Sequence, residues 1–207
     1  MKRFIIIFAI IFALIFILLN YRYILANFKF WIGRSTGSRA YEDREPQPAL
    51  LPISGDKSSS ASLNSNITLQ IPSLNVEAPI IKEPSLNLDR IFDRLEDGVV
   101  LYGETAVPGE KGVSIILGHS SAYPWYKGNY GSVFALLGKL NIGDKIYVNK
   151  NGRILVYKVS ESLIFHPFES DDKVAQLEKT NNSSIILVSC WPVNTNWKRI
   201  AIKADLI

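Results

Sequence analysis

The sequence contains a single cysteine, Cys190, among 207 residues. It can therefore form no internal disulfide and no metal cluster built from cysteines. The chain also shows no internal repeat. A lone thiol in an extracellular domain is a liability unless it is buried or used in chemistry, so Cys190 needs an explanation.

Acidic residues are absent from residues 1–40. The basic residues of that segment are Lys2, Arg3, Arg22, Lys29, Arg34 and Arg39. The remainder holds 17 of the 23 basic residues and all 19 acidic ones, so the net charge of +4 arises from the N-terminal segment. This distribution excludes a basic nucleic-acid-binding domain, and we expect no nucleic-acid partner. It suits a segment close to anionic lipid headgroups.

An unbroken apolar run extends from Phe4 to Leu19. As a helix it would cover about 24 Å, slightly less than a hydrocarbon core of about 30 Å, and continuation to Ala26 would close the gap. We predict a membrane anchor within residues 1–34. A cleaved signal peptide is the alternative, but the run is long for one and no small-x-small site follows it.

The charges that flank this anchor and the motifs of the following domain predict opposite orientations. Lys2 and Arg3 flank the run on one side, whereas four basic residues follow it on the other. The positive-inside rule therefore places the following domain in the cytoplasm. The motifs described below imply an extracytoplasmic domain, and we give them precedence.

Residues 35–66 are polar and rich in glycine, proline and serine, which predicts a flexible stalk.

The folded domain is predicted at 67–207, where short apolar segments alternate with turns. The predicted strands are 67–71, 75–81, 99–102, 113–117, 145–148, 154–160, 184–189 and 199–206. The predicted helices are 86–95, 132–140 and 171–177. Many short strands with few helices favour a closed β-barrel.

Three residues at the ends of predicted strands have the chemistry of a nucleophilic site. His119 follows an apolar strand, Cys190 follows another, and Arg199 opens the last one. A thiolate is a strong nucleophile, a histidine can exchange protons with it and with a leaving amine, and a guanidinium can stabilise an oxyanion. Taken singly, each of these residues can be explained by a structural role. The sequence around each residue distinguishes a structural role from a catalytic one.

The sequence around these three residues resembles that of the sortase family of cysteine transpeptidases. The segment Ile186-Leu187-Val188-Ser189-Cys190 is similar to the family signature Thr-Leu-x-Thr-Cys. Arg199 and the pair Gly118-His119 match the family's arginine and histidine in order and context. The stretch Phe134-x-x-Leu137-x-x-Leu140-x-x-Gly143-Asp144-x-Ile146-x-Val148 is typical of the region between histidine and cysteine.

The resemblance implies a mainly β fold, a closed eight-stranded barrel with short helices, and an extracytoplasmic site on the cell membrane. It implies Cys190 as nucleophile, His119 as acid and base, and Arg199 as the group that positions substrate or stabilises the oxyanion. We also assign Ser189 to substrate binding. No cofactor and no metal are expected.

The expected reaction cleaves a Leu-Pro-x-Thr-Gly-like sorting signal on surface proteins. The acyl group then passes through a thioester to an amine, either on a cell-wall precursor or on a pilin lysine. Ile186 and Ser189 depart from the signature threonines. Because no second apolar span follows the domain, we expect a housekeeping-type enzyme rather than a pilus-polymerising one.

Two other classes of cysteine enzyme do not fit the sequence. An L,D-transpeptidase would carry arginine two residues after the cysteine, where this chain has Pro192, and a papain-like enzyme would place cysteine before histidine. A membrane-tethered binding barrel without activity and a peptidase that hydrolyses the same signal stay open. His166 matches no motif and is assigned a structural role.

A pentapeptide in the stalk, Leu51-Pro52-Ile53-Ser54-Gly55, resembles a sorting signal with serine in place of threonine. A stalk enriched in proline, serine and glycine can contain such a string by coincidence. The other interpretation is a weak pseudosubstrate, because a tethered peptide has a high effective concentration.

Overall fold

The computed structural model describes residues 2–36, 67–122, 126, 128–179 and 182–207. The strands are β1 Ile67–Ile71, β2 Val76–Glu83, β3 Val99–Tyr102, β4 Gly112–Leu117, β5 Lys145–Lys150, β6 Arg153–Phe165, β7 Ser183–Trp191 and β8 Lys198–Leu206. The α-helices are α1 Lys2–Thr36, α2 Leu88–Arg94 and α3 Ser170–Leu177. Short 3-10 helices occur at Pro72–Leu74, Leu137–Lys139 and Pro167–Glu169. The pentapeptide 51–55 and most of the predicted stalk lie outside the described residues.

The eight strands close into a barrel in the order β1-β2-β3-β4-β7-β8-β6-β5. Closure occurs because β1 pairs antiparallel with both β2 and β5. Two neighbouring pairs are parallel, β2 with β3 and β4 with β7. The predicted closed eight-stranded barrel is confirmed.

Alternating side chains separate the barrel interior from its outer face. On β7, Ile185 and Leu187 point into the main core, whereas Ile186 joins an outer cluster with Leu177 of α3. On β8, Ile200, Ile202 and Ala204 are buried in the same core, and Leu206 packs against it. This alternation has a period of two, as strand geometry requires.

The predicted strands 145–148 and 154–160 form the β5–β6 hairpin, which turns at Asn151-Gly152. Asn151 has φ 54° and Gly152 has φ 86°. Positive φ at both central residues is the requirement of the tight hairpin turn that matches strand twist. The Gly152 amide donates a hydrogen bond to Asn149 Oδ1 at 2.8 Å, which fixes the register of the pair.

The helix predicted at 132–140 was wrong: the segment consists of turns that end in the 3-10 helix Leu137–Lys139. Its backbone bonds span three residues, for example from Ala135 N to Ser132 O at 3.1 Å. The Phe134 amide donates to the His119 carbonyl at 2.9 Å. The segment therefore combines three-residue turns with one long-range hydrogen bond to a residue beyond the end of β4.

The predicted helix 86–95 is confirmed in position, but it is shorter and its buried face is narrower. Ile91 and Leu95 are buried, whereas Leu86, Leu88 and Phe92 are more than half exposed. The apolar spacing alone assigned all five residues to one packed face. The exposed position of Phe92 becomes important for the site described below.

No helix within the described residues combines the length and the apolar composition needed to cross a membrane. The membrane anchor inferred from the sequence stays a prediction.

The hydroxyl group of Tyr157, in the barrel interior, provides a test of the fold. Tyr157 is fully buried; its hydroxyl accepts a hydrogen bond from Gly109 N at 2.8 Å and lies 3.2 Å from Ser183 Oγ. Tyr157→Phe should lower the free energy of unfolding by about 0.5–1.5 kcal/mol, because the Gly109 amide and the buried Ser183 hydroxyl each lose a hydrogen-bond partner. Urea denaturation measures the change.

Ser183→Ala and the double variant complete the comparison. The hydroxyl pair should give a coupling of about 1 kcal/mol or less, since one neutral hydrogen bond contributes that much. An unchanged urea midpoint in Tyr157→Phe would contradict the assigned role of the hydroxyl.

Candidate active site

His119, Cys190 and Arg199 form a row across the ends of neighbouring strands: Cys190 lies on β7, Arg199 on β8, and His119 two residues beyond the end of β4. In the antiparallel pair β7–β8, Cys190 is directly opposite Arg199. In the parallel pair β4–β7, the last aligned residues are Leu117 and Val188. Continuing this register by two residues brings His119 level with Cys190. Neighbouring strands are about 4.8 Å apart, so the structure brings all three predicted residues together.

The three side chains share the outer face of the barrel. On β7, Cys190 has the same parity as Ile186 and Val188, both of which pack in the outer cluster. On β8, Arg199 has the parity of Ala201, which belongs to the same cluster. The site therefore lies outside the barrel wall, at the end of strands β4 and β7.

Two hydrogen bonds hold the ends of these strands in place. The Gly118 amide donates to Val188 O at 3.1 Å, and Ser189 Oγ donates to Gly118 O at 2.7 Å. Ser189 is only 3% exposed. Its hydroxyl thus joins the residue before His119 to the residue before Cys190, and the substrate-binding role predicted for Ser189 stays untested.

Gly118 permits the close packing behind His119. A Cβ atom at this position would lie 2.4 Å from Phe134 Cδ2. Phe134 is buried in the main core, and its amide is bonded to the His119 carbonyl. Any larger residue at 118 would displace either this ring or the strand end that carries His119.

His119 lies between two aromatic rings. The Phe92 ring stacks on the imidazole with centroids 6.4 Å apart and an angle of 15°. The Tyr126 ring meets it edge-on, with centroids 5.5 Å apart. Burial lowers the pKa of His119 below its ordinary value. The neutral imidazole, which can accept a proton, is therefore favoured at pH 7.

The loop between β7 and β8 carries Arg199 into the site. Arg199 Nη1 donates to Asn196 O at 3.1 Å and to Lys198 O at 3.0 Å. These bonds leave Nε and Nη2 without a partner among the described residues. The Asn194 amide donates to Ser121 Oγ at 3.1 Å, which joins this loop to the segment after His119.

The arrangement combines a half-buried thiol, a neutral imidazole and a guanidinium with unused donors. These are the parts that acyl transfer through a thioester requires. Within the described ranges, no group of three or more histidine, cysteine or acidic side chains could hold a metal ion.

The sequence did not single out the groups that surround His119. Phe92 was assigned to a packed helix face, and Tyr126 carried no motif. Tyr126 Oη donates to Leu95 O at 2.7 Å, a contact between segments that no local pattern predicts. His166 lies elsewhere, in the turn before α3, where its ring stacks on Phe168 at 5.2 Å.

The lowered pKa of His119 predicts a pH dependence of stability. The unfolded state, with a histidine pKa of about 6.5, binds more protons near pH 6 than the folded state does. Stability should therefore fall as the pH drops from about 7 toward the lowered folded pKa. Urea midpoints between pH 5 and 8 measure the loss.

The His119→Gln variant is the control for this titration, because it removes the ionisable group and retains a polar side chain. Its midpoints should change less over the same pH range than those of the wild type. Parallel profiles for the two proteins would contradict a lowered His119 pKa.

The chain resembles known proteins in sequence and in fold. The family model for the sortase domain matches residues 69–207. Sortase C from Clostridium perfringens SM101 is 24% identical, with a TM-score of 0.52 over 68% of this chain and 68% of that one. No protein of the curated set matches the sequence.

Two further solved structures have the same fold. The lid mutant of sortase A from Corynebacterium diphtheriae is 23% identical, with a TM-score of 0.57 over 71% of this chain and 72% of that one. The Clostridium perfringens sortase D5 transpeptidase is 25% identical, with a TM-score of 0.54 over 70% and 79% of the two chains. The matched segment contains all three residues of the row, and the chain belongs to the sortase family of cysteine transpeptidases.

Proposed function

We propose that residues 67–207 form the catalytic domain of a sortase that uses Cys190, His119 and Arg199. The observation that supports this most strongly is their common row on the outer face of strands β4, β7 and β8. Rigid strand ends hold reacting groups in a constant geometry, which acyl transfer needs.

In the first step, the Cys190 thiolate attacks the carbonyl carbon of the threonine in a Leu-Pro-x-Thr-Gly-like signal. The carbon–nitrogen bond to glycine breaks, and the departing amine takes a proton from the His119 imidazolium. The products are a thioester on Cys190, a free glycine amine and neutral His119. Since the imidazole is neutral before reaction, it must first receive the thiol proton.

In the second step, an acceptor amine attacks the thioester carbonyl and loses a proton to His119. The carbon–sulfur bond breaks, and the departing Cys190 thiolate takes this proton from the His119 imidazolium, which restores the thiol and the neutral imidazole. Arg199 donates from Nε and Nη2 to the oxyanion in both steps. Such donors are most effective when they are already oriented, and the bonds of Nη1 to the loop provide that orientation.

The acceptor distinguishes the types of sortase. A cell-wall precursor amine is expected for a housekeeping-type enzyme and a pilin lysine for a polymerising one. The solved structures that resemble this chain include sortases named A, C and D, so resemblance favours neither type. We retain the housekeeping type as the prediction to be tested.

We further propose that α1 anchors the enzyme in the cell membrane with the catalytic domain outside. Its large apolar side chains are exposed along the described part, from Phe4 at 80% to Leu18 at 72%. A contiguous apolar surface of this size needs an apolar environment. An external domain is also required to meet surface-protein substrates.

The transpeptidation reaction tests the proposed function. The full chain in detergent micelles is incubated with Leu-Pro-x-Thr-Gly peptides and either a glycine-type amine or a lysine-containing peptide. Mass spectrometry should detect cleavage between threonine and glycine and joining of the acyl part to the glycine-type amine. Joining to lysine alone would overturn the housekeeping prediction.

Two variants accompany this assay. Cys190→Ala should abolish the reaction, and Arg199→Lys should lower kcat by about 100-fold, as loss of an oriented oxyanion donor does. Cleavage without joining would indicate a hydrolase. No cleavage of a varied peptide library, with Cys190 inert to an alkylating reagent, would support the binding barrel.

The anchor has a separate test in intact cells that express the full chain. External protease should degrade residues 67–207, and the protein should sediment with the membrane fraction after a high-salt wash. Protection from protease until the cells are lysed would favour the orientation given by the flanking charges. Release by the salt wash would contradict a membrane-spanning anchor.

A further inference from the structure

Helix α2 is involved in both aromatic contacts of His119. Phe92, which stacks on the imidazole, belongs to the helix. Tyr126, which meets the imidazole edge-on, donates its hydroxyl hydrogen bond to the carbonyl of Leu95, the residue that caps the helix at its C-terminus. A shift of α2 would therefore move both rings relative to His119.

The helix itself is too short to be stable alone, at seven residues. Two features attach it to the barrel: the packing of Ile91 and Leu95 against Val100 of β3, and the Glu83 carboxylate at the end of β2, whose side chain is 2% exposed. Glu83 accepts a hydrogen bond from Ser85 N at 3.0 Å and lies 3.4 Å from Arg90 Nη2 and 3.6 Å from Arg94 Nε. Two of these three partners belong to α2.

The Ser85 amide, together with the two guanidinium groups, lowers the pKa of the Glu83 carboxyl, although burial acts in the opposite direction. The carboxylate is therefore ionised at neutral pH. A buried charge that loses its partners is strongly unfavourable, so the two arginines must remain on the Glu83 side of the helix. Together with the buried side chains of Ile91 and Leu95, this requirement fixes the rotation of α2 about its axis.

Rotation of α2 determines where Phe92 points. At about 100° per residue, Phe92 is about 200° away from Arg90 and from Arg94, on the opposite side of the helix. The ion pairs thus face Glu83 while Phe92 faces His119. Phe92 is 56% exposed, so its burial contributes little to the core. Its described ring contact is with the imidazole.

We propose that Phe92 and Glu83 are positioning residues for His119. Glu83 fixes α2, and α2 holds the imidazole in the orientation that exchanges protons with Cys190 and with the substrate amine. This inference rests on the acid and base role proposed for His119. Neither residue contacts the reacting atoms in this scheme.

The test uses the full chain and the two histidines that it contains. In Phe92→Leu, kcat should fall about fivefold with KM unchanged, the effect of losing one aromatic pair. The proton resonance of the His119 ring should move downfield as the ring current of Phe92 is lost. The His166 resonance, from a distant turn, should stay in place. Phe92→Tyr should restore both kcat and the shift.

Two matched controls separate positioning from general damage. Phe168→Leu removes the other phenylalanine stacked on a histidine, at 5.2 Å and 11°, and should move the His166 resonance alone with kcat unchanged. Glu83→Gln should reproduce the kcat loss and the His119 shift of Phe92→Leu. Glu77→Gln, an exposed carboxylate on the same strand β2, should change neither.

The kinetic pattern decides the outcome. A Phe92→Leu protein with unchanged kcat would overturn the inference, as would a rise in KM alone, which would make Phe92 a wall of the peptide site. A wild-type protein without any Cys190-dependent reaction would instead refute the proposed function, and the inference with it. An active wild type with unaffected variants refutes the inference only.

Discussion

The candidate site depends on the parallel pairing of β4 with β7. This pairing aligns Leu117 with Val188 and so brings His119 level with Cys190. The Ser189 hydroxyl reinforces it through Gly118 O, at a sequence separation of 71 residues. The antiparallel partner β8 then adds Arg199 opposite Cys190. A shift of one residue in either register would turn a reacting side chain from the outer face toward the core.

Around this row, loops and a helix provide orientation rather than chemistry. The β7–β8 loop holds one nitrogen of Arg199 through the Asn196 carbonyl and is joined to the segment after His119 by the Asn194–Ser121 bond. The turn that replaces the expected helix donates the Phe134 amide to the His119 backbone. Helix α2 contacts the imidazole. Each group of the row is therefore supported by a different part of the chain.

The sequence predicted the strands well because their apolar residues alternate and because glycine and asparagine mark the β5–β6 turn. It predicted the three residues of the row from their positions at strand ends and from motif context. It failed at 132–140, where apolar spacing suits an α-helix but the backbone hydrogen bonds span three residues. The contacts of Phe92 and Glu83 and the hydrogen bond from the Ser189 hydroxyl to Gly118 O were not predicted, because their partners are brought near only by the closed barrel.

The order of the strands has a consequence for the newly made protein. Because β4 and β7 are separated in sequence by β5, β6 and α3, their pairing is non-local and forms slowly compared with a hairpin. A partly folded chain carries the thiol of Cys190 but has no histidine or arginine beside it. The row of His119, Cys190 and Arg199 is therefore complete only once the barrel has closed, and a partly folded chain lacks the arrangement on which the proposed acyl transfer depends.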